Sequence, residues 1–190
     1  MKALKEHNIR DRILSYEEFK HLVSFCLPHT ARIVTMAYYT AMRKGEILNL
    51  KWDRVDMKSG FIRLRPGDTK TDEGRSIPIH PELMRVLQSM PRDIRGWVFT
   101  LTGKPISDIQ SSFQSACKRA GIGNFTFHDL RHTCINNWRL QGHDYFKIMA
   151  ASGHKTMSVF KRYNVVTEDE LKGLVVPLVG TYTGTNKKDG

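Results

Sequence analysis

The chain is short of acid, nearly without cysteine and free of long apolar runs, and each shortage removes a class of protein. Asp and Glu number 19 against 30 Lys and Arg, giving a formal net charge of +11 and an isoelectric point near 9.7. Such an excess favours a polyanionic partner, nucleic acid first and an anionic membrane surface second; the plainer alternative is a soluble basic domain with no such partner. No apolar stretch of about 18 residues occurs, so nothing reads as a membrane span. The start, Met-Lys-Ala-Leu-Lys-Glu-His, lacks the apolar core of a secretory signal. Cys26, Cys117 and Cys134 are isolated and show no C-x-x-C spacing. That fits reduced thiols in a cytoplasmic protein and argues against a disulfide frame and a zinc site. H-E-x-x-H, a clustered Asp pair for two magnesium ions and a Walker lysine loop are missing as well. The sequence therefore implies no metal and no cofactor, and any chemistry on a phosphate falls to side chains alone.

What is present suits one folded domain. The 190 residues are 40% apolar, with 9 Phe, 6 Tyr and 3 Trp, enough to bury a core. Residues 1–14 are polar and charged and read as a linker. Ser15-Tyr-Glu-Glu18 is a capping box, followed at helical spacing by Phe19, Leu22 and Val23, with Pro28 closing the helix. A second helix is expected over 30–49, on the apolar positions Ile33, Ala37, Ala41, Ile47 and Leu48. Three β-type runs follow, Leu50 to Val55, Gly60 to Leu64 and Arg75 to Ile79. Turns at Ser59-Gly60 and Asp72-Glu-Gly74 make them an antiparallel meander. Helices are expected again over 81–90, 106–120, 127–141 and 144–151, with Gly142 as a helix stop. The tail from Gly180, with its Thr, Gly and Lys, reads as flexible.

Six polar residues carry the chemical signal: Arg43, Lys70, His128, Arg131, His154 and Tyr163. A phenol is a weak nucleophile, with a reference pKa of about 10, so it must be held in line with a neutralised target. Arginine suits the neutralising task, because its planar fork sets two N–H donors on two phosphate oxygens and keeps its charge. One tyrosine downstream of two arginines and two histidines is what breaking a DNA phosphodiester through a phosphotyrosine requires. Each residue alone has a blander reading. Arg43 and Glu46, three apart on a helix, could be a solvated ion pair, although the apolar flanks set Arg43 near the buried side. Lys70, on a hairpin tip, can reach a phosphodiester and protonate a departing 5′ oxygen, yet loops are full of lysines. His128 and Arg131 share one side of a helix start, with Thr126 as a candidate N-cap, but a lone H-x-x-R recurs by chance. His154 can present an N–H to a non-bridging oxygen or be a loop histidine bonded to backbone. Tyr163 alone is more simply a packing residue.

The ordered blocks AMRKGEILNLKW, TKTDEGRSIPI, FHDLRHT, SGHKT and FKRY, spread over residues 15–170, resemble the tyrosine recombinases or phage-type integrases. That resemblance implies an α+β catalytic-domain fold of the DNA breaking-rejoining type, mainly helical with a small antiparallel three-stranded sheet. It implies a site-specific recombinase that cuts and rejoins double-stranded DNA without metal or ATP. In it Arg43 and Arg131 clamp the scissile phosphate and Lys70 protonates the 5′ oxygen. His128 and His154 assist proton transfer and phosphate binding, and Tyr163 attacks. It further implies a homo-tetramer on DNA for the full-length protein, no membrane partner, and a cytoplasmic, nucleoid-associated setting in a bacterium or phage. The family's separate N-terminal DNA-binding domain is not in this sequence. Residues 1–14 are then the linker that follows it, 15–179 the catalytic domain and 180–190 a tail. Ser152 stands where the family often has leucine, a departure expected to touch no catalytic atom. Two rival functions are a type IB topoisomerase-like strand cleavage, whose usual tyrosine surroundings differ from Arg162-Tyr163-Asn164, and an inactive DNA-binding relative.

Overall fold

The computed structural model describes residues 12–69, 72–93, 95–157 and Leu171; Lys70, Tyr163 and the stretch from Gly180 lie outside the described residues. Helix α1 (Tyr16–Ser24) starts on the expected capping box: Ser15 accepts from the Glu18 amide while Glu18 accepts from the Ser15 amide. Pro28 does not end α1, which stops at Ser24; it is the first residue of α2 (Pro28–Thr40), where a missing N–H costs nothing.

The expected helix over 30–49 is broken. Helix α2 ends at Thr40, Ala41 takes a left-handed conformation with φ of 52°, and a short α3 (Lys44–Leu48) restarts the chain. Thr40 terminates α2 from within, its hydroxyl bonding the Met36 carbonyl at 2.6 Å and accepting from the Met42 amide at 3.3 Å. Periodicity could not show this, because Ala41, Ile47 and Leu48 are all buried as a continuous helix would bury them.

The three-stranded antiparallel meander is present as β1 (Val55–Asp56), β2 (Phe61–Leu64) and β3 (Arg75–Pro78), with Ile62 paired to both Val55 and Ile77. Its first strand is shorter than the Leu50 to Val55 run. Residues 50–52 instead pair with 96–98: Trp52 donates to Gly96 at 2.7 Å and Val98 to Leu50 at 2.9 Å. Trp52–Arg54 then forms a 3-10 turn. Helices α4 (Pro81–Gln88), α5 (Gln110–Arg119), α6 (Asp129–Leu140) and α7 (Tyr145–Ser152) fall inside the expected ranges, trimmed at their ends. Between α4 and α5 a small hairpin, β4 (Thr100–Leu101) with β5 (Lys104–Pro105), was not expected. Its strands are too short to show an alternating pattern.

One apolar core runs through the chain, with Phe19, Leu22, Ile33, Met36, Ile62, Ile77, Phe113 and Leu130 at its centre. Leu14 joins it, its amide bonded to Thr133 at 3.2 Å. A smaller cluster of Ala41, Cys134, Ile135 and Ile148 joins the end of α2 to α6 and α7. That second cluster sets the floor beneath the polar site. Burying about 25 cal/mol per Å² of apolar surface is what fixes α6 and α7 there, rather than any single polar bond.

Candidate active site

The break after α2 builds the first part of the site. Arg43 is the N-cap of α3, not a mid-helix residue, and Glu46 is the third residue of that helix. Glu46 therefore reaches back as a capping carboxylate, its Oε2 accepting from the Arg43 amide at 2.8 Å and its Oε1 from the Arg43 guanidinium at 3.0 Å. The solvated-pair alternative fails here, because the Glu46 side chain is only 4% exposed.

A third arginine completes the arrangement. Arg75, the first residue of β3, donates Nη1 to Glu46 Oε1 at 3.1 Å and Nη2 to Oε2 at 2.6 Å. Its Nε donates to the Ala151 carbonyl at the end of α7, 3.0 Å away. Four donors thus converge on one buried carboxylate. Burial pushes the Glu46 carboxyl up, but the bonds and charge of Arg75 and Arg43 outweigh it and hold the group below its ordinary value. Arg75 escaped the sequence reading, although strand alternation carried a signal. Arg75 and Ile77 share the inward face of β3, where a charge needs a partner.

Arg131 lies on the first turn of α6 and is 2% exposed. Its Nη1 donates to the Ala41 carbonyl, which the left-handed turn presents to it, and its Nη2 lies 3.1 Å from His154 Nε2. The start of α6 is not capped by Thr126. Instead Asp129 turns back and accepts from the Thr126 amide at 2.6 Å and hydroxyl at 2.8 Å, while His128 holds the N-cap position without a side-chain cap. His128 and Arg131 do share one side, both lining an open cavity of about 300 Å³ with Lys44 and Thr126.

His154 is buried behind Gly153, which closes α7 with φ of 74°. Ser152 is not the bystander the sequence suggested: fully buried, its Oγ lies 2.8 Å from His154 Nδ1. Burial, with Arg131, Arg43, His132 and Arg75 nearby, pulls the His154 imidazole down to about 3. His128 is lowered by burial and Arg131, with Asp129 pulling the other way. Both rings are neutral at pH 7.

Of the six candidates, then, Arg43, His128, Arg131 and His154 come together. Lys70 and Tyr163 lie outside the described residues. The hairpin that carries Lys70 is tied on either side, Thr69 exchanging bonds with Glu73 at 3.0 and 3.2 Å and Asp72 accepting from Gly67 at 2.7 Å. The assembled groups amount to two guanidiniums and two neutral imidazoles beside an open cavity, an arrangement that can bind an anion and move a proton. Among the described residues no group of His, Cys, Asp and Glu could hold a metal ion, and no helix is long and apolar enough to cross a membrane.

Residues 12–170 match the phage integrase family. Over 153 residues the chain is 34% identical to the shufflon-specific DNA recombinase of Escherichia coli, covering 80% of this chain and 37% of that one. The crystal structure of XerA recombinase superposes with a TM-score of 0.72 at 26% identity, over 91% of this chain and 65% of that one. The catalytic domain of bacteriophage HP1 integrase shares the fold, with a TM-score of 0.64 at 23% identity, over 81% of this chain and 87% of that domain. The chain spans between 37% and 60% of the length of the first curated relatives it matches.

Proposed function

This chain belongs to the phage integrase family, and from that premise we propose that its residues 15–179 are the catalytic part of a site-specific DNA recombinase. The observation that carries the reading is the meeting of Arg43, Arg131, His128 and His154 beside one open cavity, with both imidazoles held neutral. In this reaction Arg43 and Arg131 bind the non-bridging oxygens of a scissile phosphate and offset the charge that grows on them. The Tyr163 oxygen attacks phosphorus, and the bond from phosphorus to the 5′ oxygen breaks. Neutral His128 accepts the phenol proton, and Lys70 gives a proton to the 5′ oxygen as it leaves. The product is a 3′-phosphotyrosine and a free 5′ hydroxyl. A 5′ hydroxyl from a second strand then attacks the phosphotyrosine and reverses each transfer. One phosphoester is exchanged for another at every step, so neither ATP nor hydrolysis is needed.

Double-stranded DNA is the substrate this chemistry takes, and the net charge of +11 favours it. Exchanging two duplexes breaks four strands, each needing one tyrosine, which supports a homo-tetramer of the full-length protein on DNA. Such a substrate sets the protein in the cytoplasm with the nucleoid.

The test is a nicked duplex carrying the native site, in which cleavage releases a short strand and traps the adduct. Wild type should form a covalent protein–DNA species on denaturing gels, and Tyr163→Phe should form none while binding DNA nearly as well, since only the attacking oxygen is removed. An adduct formed by the phenylalanine variant would refute the assignment.

A further inference from the structure

We infer that Ser152 is a positioning residue: its hydroxyl fixes His154 as the Nδ1–H tautomer, so that Nε2 accepts from Arg131 and steadies that guanidinium. A guanidinium has donors only, so the 3.1 Å approach of Arg131 Nη2 to His154 Nε2 is a bond only if Nε2 offers its lone pair. The proton of a neutral imidazole then sits on Nδ1. There it meets Ser152 Oγ at 2.8 Å, and the hydroxyl passes its own hydrogen toward the Met149 carbonyl, 3.4 Å away. The opposite tautomer would set an imidazole N–H against an arginine N–H at 3.1 Å in a buried place, which costs free energy without a compensating bond.

The backbone prepares this geometry. Left-handed Gly153 turns the chain so that the Met149 carbonyl also accepts from the Gly153 amide at 2.8 Å and the His154 amide at 3.1 Å. Ser152 and His154 are thereby brought to one side. The charged and titratable groups facing the imidazole are Arg131 and His132 from α6, Arg43 from the start of α3 and Arg75 from β3, all basic, so neither tautomer is protonated at neutral pH. Arg131 is consequently held by the Ala41 carbonyl at one nitrogen and by His154 at another. Both partners are uncharged, so they aim the guanidinium without cancelling its charge. A leucine at position 152 would have no oxygen for Nδ1–H.

The tautomer is a property of the protein alone, whereas its catalytic consequence rests on the recombinase reading. Nitrogen-15 NMR of the full chain, labelled at histidine, reads the tautomer directly in the wild type. The result expected is a pyrrole-type Nδ1 and a pyridine-type Nε2 for His154, shifting to a mixed population in Ser152→Ala. On the nicked duplex Ser152→Ala should cleave about tenfold more slowly, the loss that removing one buried hydrogen bond brings, with DNA affinity unchanged. An Nε2–H signal in the wild type overturns the inference without any variant. So does an unchanged Nδ1–H signal in Ser152→Ala, or wild-type cleavage by that variant. A wild type that shows the expected tautomer but never forms an adduct sinks the recombinase reading and leaves the tautomer assignment standing.

Discussion

Arg75→Ala is the perturbation for which the geometry gives the clearest magnitude. In the folded chain Arg75 supplies two of the four donors that meet Glu46, at 3.1 and 2.6 Å, and ties Ala151 at 3.0 Å. Both partners of the ion pair are almost wholly buried, with side-chain exposures of 6% and 4%. Removing one member of a buried pair costs about 3–5 kcal/mol, because the survivor is left as a desolvated charge. Arg43 still donates twice to Glu46, so the loss belongs at the lower end, about 3 kcal/mol. For a chain of this length that corresponds to a fall in Tm of roughly 6–12 °C. Urea denaturation gives the free energy through a shift in midpoint at constant slope. Arg75→Lys should recover only part of it, since an ammonium cannot match the carboxylate with two parallel donors. A cycle with Glu46→Gln and Arg75→Met separates the pair from its surroundings, and the double variant should be less damaged than the two single losses added together. A loss below about 1 kcal/mol for Arg75→Ala, or strict additivity in the cycle, would show that Glu46 is held by Arg43 and water and that Arg75 is not structural.

Gly153→Ala sets a Cβ 3.2 Å from Cδ, Cζ and Nε of Arg75 at a residue with φ of 74°, so a loss of about 1–2 kcal/mol is expected in the same urea assay. His154 is neutral in the fold down to about pH 3 but ordinarily titrates at 6.5, so the unfolded chain takes up the extra proton between those values. Stability is then fully present above about pH 6.5 and should fall by about 2 kcal/mol on going to pH 5, a slope that His154→Gln removes. Arg43→Ala and Arg131→Ala should each lower cleavage of the nicked duplex by two orders of magnitude or more, as expected for groups that offset transition-state charge, and a defect within about tenfold would make them structural. Lys70→Ala should be slow on ordinary DNA and largely restored when the bridging 5′ oxygen is sulfur, which leaves without a proton; equal defects on both substrates would remove Lys70 from the general-acid role.

The parts of this fold legible in the sequence are those with a local cause. The capping box at Ser15, the three-strand meander and the positions of α4 to α7 each follow from side chains adjacent in the chain. The break at Ala41 does not, since an alanine in a left-handed conformation leaves no compositional trace and its apolar neighbours keep helical spacing. For the same reason Arg43 was placed on the wrong kind of position while its partnership with Glu46 was right. Arg75 and Ser152 were missed because their roles depend on α7 packing against β3. That packing joins residues far apart in sequence, Arg75 to Ala151 for one. Catalytic-type residues announced themselves by chemical identity and order, whereas the residues that aim them are ordinary until the fold brings them into contact.

This division has a physical basis in the charge of the site. Three guanidiniums, from Arg43, Arg75 and Arg131, surround His154, and the carboxylate that bonds two of them is Glu46. A second buried carboxylate against Arg131 would settle its position more firmly, yet it would also cancel the charge that a phosphate is to meet. The fold instead holds Arg131 with the Ala41 carbonyl and a neutral His154, and spends its single buried anion on the two arginines nearer the sheet. Under the recombinase reading the remaining positive charge is matched only when a phosphodiester arrives, and better still when a further negative charge develops on it in the transition state. Neutral polar groups beside Arg131 and one carboxylate shared by Arg43 and Arg75 are therefore not interchangeable choices. Replacing Ala41, Ser152 or Gly153 disturbs how the charge is aimed, and adding an acid near Arg131 would disturb how much of it is left to act.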